Sequence, residues 1–73
     1  MTEVSEAAKV VGRNVRIWRR KRRLTQEKLG FLAGLHRTYV GRVERAECSM
    51  TIETLWRIAA ALEVKPHLLI VDE

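Results

Sequence analysis

Within Thr25 to Arg45, TQEKLGFLAGLHRTYVGRVER, two short helical patterns meet at a glycine, and this leaves few ways for the chain to fold. Thr25 is a favoured helix N-cap, followed by the good helix formers Gln26, Glu27, Lys28 and Leu29. Leu29, Leu32 and Ala33 recur at helical spacing and are expected to face inward together. Gly34 then takes a positive φ at little cost, closing the first helix and turning the chain into the next. From Arg37 to Arg45, Val40 and Val43 point inward, while Thr38, Gly41, Arg42 and Arg45 form an outward stripe flanked by Arg37 and Tyr39.

Two helices and a glycine turn of this length make a helix-turn-helix. The stripe suits a major groove: arginine forks to guanine or phosphate, threonine meets a thymine methyl, and tyrosine donates to phosphate. Arg37, Thr38, Tyr39 and Arg42 are therefore expected to supply specificity, with the Tyr39 ring either on the stripe or folded against the edge of the core. His36, just before the second helix, reads as a turn residue.

Charge agrees with this reading. The net charge is +5, yet Gly12 to Arg45 holds eleven Lys/Arg against Glu27 and Glu44, a local +9, and the remainder is −4. One part of the chain suits a polyanion. The run Arg19-Arg20-Lys21-Arg22-Arg23 closes a first helix starting near Thr2 or Ser5, with Ala8, Val11, Val15 and Trp18 as its apolar stripe. Five adjacent cations repel one another, so phosphate contact by this run is expected beyond favourable placement at a helix C-terminus.

Seventy-three residues fit one domain, 1–73, with no room for a separate catalytic or effector-binding domain, so no small-molecule effector is expected. Cys48 is alone, and the two histidines with one cysteine make no plausible metal site; no cofactor, metal or catalytic constellation is expected, and an enzyme is not. No apolar run approaches the ~20 residues of a membrane span, and the acidic MTEVSEAAKVV has no apolar signal core, so a cytoplasmic protein is expected.

Thr51 caps a further helix whose inward stripe is Leu55, Ile58, Ala59 and Leu62. Ile52, Trp56 and Ala60 form a second apolar strip, either a cap on the core or a dimer seam. After Pro66, the run Leu68-Leu69-Ile70-Val71 cannot all face one core; a short fifth helix and a short strand pairing across a two-fold axis both predict a homodimer. Trp56, Leu68, Leu69, Ile70 and Val71 are the expected interface.

The chain resembles the Cro/repressor-type helix-turn-helix regulators through Arg19, Thr25, Gln26, Glu27, Leu29, Gly34, Val40, Val43, Glu44 and Arg45, then Leu55, Ile58, Ala59, Ala61, Leu62 and Val64. HRTYVGRVER, a polar loop and TIETLWRIAAALEV look like the controller proteins of restriction-modification systems. It departs from the pattern at Arg23 and Ala46, where glycine is usual, at Gly30, where alanine is usual, and at Cys48-Ser49, where Arg-Asn is common. Gly30 is expected to weaken its helix by ~1 kcal/mol.

The resemblance implies an all-α, five-helix, lambda-repressor-like domain binding double-stranded DNA as a homodimer on palindromic operators. It further implies autoregulation of a restriction-modification system, and leaves room for RNA polymerase as a partner. Gln26 and Arg45 match phosphate or base contacts, Thr54 a phosphate contact, and Arg19–Glu44 a structural ion pair. The alternative is an antitoxin-like or phage-type repressor whose apolar C-terminal surface binds a partner protein. RNA binding is weaker, because only Trp18, Phe31, Tyr39 and Trp56 could stack on bases.

Overall fold

A computed structural model describes residues 5–72 as four α-helices and a final 3-10 turn: α1 Glu6–Lys21, α2 Gln26–Ala33, α3 Arg37–Glu44, α4 Ile52–Leu62 and the 3-10 helix Pro66–Leu69. Every α-helix begins on a side-chain acceptor. Ser5 Oγ accepts from the Ala8 amide at 2.9 Å, Thr25 Oγ1 from Lys28 at 2.9 Å, His36 Nδ1 from Thr38 at 3.0 Å and Thr51 Oγ1 from Thr54 at 3.1 Å. Ser5 thus starts α1; the alternative start at Thr2 lies outside the described residues.

The four helices also end alike. Arg23, Gly34, Ala46 and Glu63 each adopt a left-handed conformation, with φ of 60°, 72°, 61° and 60°. The following amide reaches back five residues to a carbonyl: Leu24 to Arg19 at 3.0 Å, Leu35 to Gly30 at 2.7 Å, Glu47 to Arg42 at 2.8 Å and Val64 to Ala59 at 3.0 Å. This is the Schellman cap, for which glycine is the unstrained choice. Leu24, Leu35 and Val64 pack against the core from that last position, whereas Glu47 is exposed.

The core draws on all five elements, with Val15, Leu29, Val40, Ile58, Leu62 and Leu69 fully enclosed. Leu32 departs from expectation at 48% exposure. The buried arc of α2 runs through Leu29, Gly30 and Ala33 instead, because the chain leaving the turn crosses directly over Gly30. A Cβ there would lie 2.5 Å from the Leu35 carbonyl oxygen, so Gly30 makes the tight turn possible rather than merely loosening a helix. Gly12 serves a similar purpose in α1, where a Cβ would meet the Val43 carbonyl oxygen at 2.4 Å.

The expected fifth α-helix is a single 3-10 turn. Leu69, expected at an interface, is 0% exposed and belongs to the core. The reason is local: Asn14 Nδ2 donates to the carbonyls of Leu69 at 3.0 Å and Val71 at 2.8 Å, and Arg13 pairs with Asp72 at 2.8 Å. These ties lay the C-terminal segment along α1 and turn Leu69 inward.

Candidate nucleic-acid interface

Gly34 and Gly30 set α3 against α2, and that angle fixes what α3 shows to solvent. Thr38 and Arg42 are exposed, and the side chains of Arg37 and Arg45 are 64% and 51% exposed. Tyr39 is half-buried against the core; burial, followed by neighbouring Cys48, raises its hydroxyl pKa against an opposing pull from Arg42.

Gly41 differs from expectation. It lies on the stripe but is buried, because Arg45 and Gln26 close over it: a Cβ would stand 3.0 Å from Arg45 Nη1 and 3.4 Å from Gln26 Oε1. The outer surface at this point is made by those two longer side chains, one from each helix of the motif.

Beneath them lies Glu44, whose side chain is wholly enclosed. Arg19 grips its carboxylate through Nε and through Nη2 at 3.0 Å, Gln26 Nε2 donates at 3.1 Å, and Arg16 Nε at 3.3 Å. Burial alone would raise the Glu44 pKa, but the hydrogen bonds from Arg19 and Gln26, the charge of Arg19 and the Arg16 bond together hold it below its ordinary value. Arg19 also donates to the Leu24 carbonyl at 2.9 Å. The Arg19–Glu44 pair thus fastens the end of α1 to the end of α3, and through Gln26 to the start of α2.

The basic run divides in two. Arg22 donates to the carbonyls of Leu62 at 2.7 Å and Glu63 at 3.2 Å, closing the end of α4, and it shares the Trp18 ring with Lys21. Arg19 and Arg22 therefore serve the scaffold, and Arg20, Lys21 and Arg23 are exposed. Arg57 acts likewise on α2, donating to Ala33 O at 3.0 Å and Gly34 O at 2.9 Å. Sequence reasoning missed Arg16, Arg22 and Arg57 in these places, since an arginine that bonds to a distant helix carries no periodic signature.

Glu27 and Arg37 approach to 3.8 Å, both exposed, bridging α2 and α3. Thr54 sits half-buried in the first turn of α4, its amide and hydroxyl both engaged with Thr51. Trp56 and Ile70 are 57% and 56% exposed, and Leu68 and Val71 are partly buried. Ile52 and Ile70 rim an apolar cavity of about 170 Å³ floored by Val11, Val43 and Leu55. Among the described residues, no group of His, Cys, Asp and Glu could hold a metal, and no helix is long and apolar enough to cross a membrane.

The helix-turn-helix family model, HTH_3, matches residues 15–69. The chain belongs to the HTH_3 helix-turn-helix family. It is 46% identical over 61 residues to the control protein C.SmaI of Serratia marcescens, covering 82% of this chain and 73% of that one. The restriction-modification controller protein C.AhdI of Aeromonas hydrophila superposes with a TM-score of 0.83 at 37% identity, over 85% of this chain and 94% of that one. The P22 c2 repressor, solved in complex with a synthetic operator, superposes with a TM-score of 0.79 at 27% identity, covering 86% and 96%.

Proposed function

We propose that this HTH_3 chain is a DNA-binding transcription regulator of a restriction-modification system, acting as a homodimer on palindromic operators near its own gene. The observation that carries this reading is the exposed α3 stripe of Arg37, Thr38 and Arg42, mounted on a scaffold similar to control proteins. Each subunit places α3 in a major groove, and two-fold symmetry puts the half-sites about one helical turn, ~34 Å, apart. Gln26, Arg45 and Thr54 contact phosphates and set register; Arg37, Thr38, Tyr39 and Arg42 read bases. Such a protein works in the cytoplasm. In an activating role it also meets RNA polymerase, for which exposed Phe31 and Leu32 on α2 offer a surface beside the DNA-facing helix.

The test is a gel-shift titration on the chain's own upstream DNA and on a random duplex, at two salt concentrations. Tight, stepwise shifts confined to the upstream fragment are expected. Equal, salt-sensitive smearing on both would reject operator recognition. Exposure of Trp56 and Ile70 also supports a second reading, an antitoxin-like module with a protein partner. Light scattering separates the two: a stable homodimer favours the regulator, and a monomer favours the module.

A further inference from the structure

We infer that Glu47 is an internal competitor with DNA for the guanidinium of Arg45, restraining the phosphate affinity of the recognition face. The inference rests on the regulator reading. Arg45 Nε donates to Glu47 Oε2 at 2.9 Å and Nη2 to Oε1 at 3.3 Å, the two-pronged grip by which arginine also holds phosphate. Its third nitrogen, Nη1, lies over Gly41 beside Gln26, so the engaged guanidinium is part of the stripe itself.

The carboxylate is held there by the backbone. Ala46 is left-handed, and the Glu47 amide is bonded to the Arg42 carbonyl at 2.8 Å. At the other three helix ends, the residue in this position is apolar and packs on the core, as Leu24, Leu35 and Val64 do. Only α3 among these helices places an exposed acid there, directed at a cation of the DNA-facing surface. The neighbouring acid Glu44 is enclosed and gripped by Arg19, so it does not compete for Arg45. Both Arg45 and Glu47 are about half exposed, which leaves the pair weak enough for a phosphate to displace.

Four proteins test this on the upstream duplex and on a random duplex across a salt series: wild type, Glu47→Gln, Arg45→Ala and the double variant. Glu47→Gln is expected to bind both duplexes about fivefold more tightly, with a log-log salt slope steeper by ~0.9. In the Arg45→Ala background the same change is expected to give less than a twofold gain. A Glu47→Gln protein that binds more weakly or unchanged overturns the inference, as does a gain that persists without Arg45. Arg45→Gln replaces Arg45→Ala if the latter fails to fold by circular dichroism. Wild-type protein with no affinity for either duplex would instead overturn the regulator reading and the competition with it.

Discussion

Arg37 and Glu44 lie seven residues apart on α3, yet their environments assign them opposite work. Arg37 is exposed, and its contact with Glu27 at 3.8 Å is loose, so little holds it to the scaffold. Arg37→Ala should leave the melting temperature nearly unchanged and cost ~1–3 kcal/mol on the operator with little loss on random DNA, measured by fluorescence anisotropy. Equal losses on the two duplexes would make Arg37 a phosphate contact. Glu44 is enclosed among Arg19, Arg16 and Gln26. Its folded-state pKa lies below the ordinary 4.5, so its contribution to stability is complete above that pH and is lost as pH falls through the folded value. Glu44→Gln should cost about 3 kcal/mol at neutral pH, and the gap from wild type should narrow as thermal melts are repeated below pH 4.5. A gap independent of pH would show that the carboxylate charge contributes nothing there.

Helix ends decide much of the fold, and three of the four left-handed caps carry a side chain: Arg23, Ala46 and Glu63. A left-handed non-glycine residue costs about 1 kcal/mol or more. Ala46→Gly should therefore raise stability by about 1 kcal/mol, or roughly 4–8 °C in a domain of this size, read by calorimetry. Unchanged melting would show that the strain is already relieved locally. Elements of this kind were largely legible in the sequence. Ser5, Thr25 and Thr51 announce helix starts, Gly34 announces the turn, and Leu55, Ile58, Ala59 and Leu62 announce the buried face of α4. Arg23 and Ala46 were visible as departures from a glycine pattern, though only the backbone shows the conformation that glycine would serve. What stayed hidden depends on elements far apart in the chain: Gly12 meeting Val43, Arg57 reaching Ala33, and Asn14 drawing Leu69 into the core. Periodicity reports which way a residue points along its own helix and is silent on which carbonyl from another helix arrives there. The site divides the same way: the exposed α3 stripe could be read at ~100° per residue, but the burial of Gly41 under Arg45 and Gln26 could not.

A chain of this size that leaves Trp56 exposed, and Ile52 and Ile70 exposed around one apolar cavity, has an incentive to associate. In the proposed homodimer, Trp56 is the largest candidate anchor. Trp56→Glu should weaken self-association by at least ~2 kcal/mol, about thirtyfold, by sedimentation equilibrium, while the monomer keeps its helical circular dichroism. Wild-type association in that variant would place the interface elsewhere. Across the molecule, two groups of arginines stand apart. Arg19, Arg22 and Arg57 are committed to internal acceptors on other helices, whereas Arg42 stands clear of the core and Arg37 is held by a single loose contact. Substitutions at exposed positions away from packing usually change stability by no more than ~0.5 kcal/mol. Under the proposed function, the address that the protein reads can therefore change by mutation at Arg37, Thr38 and Arg42 while its foldability is left intact. A duplicated copy could drift to a new operator without first acquiring a compensating stabiliser.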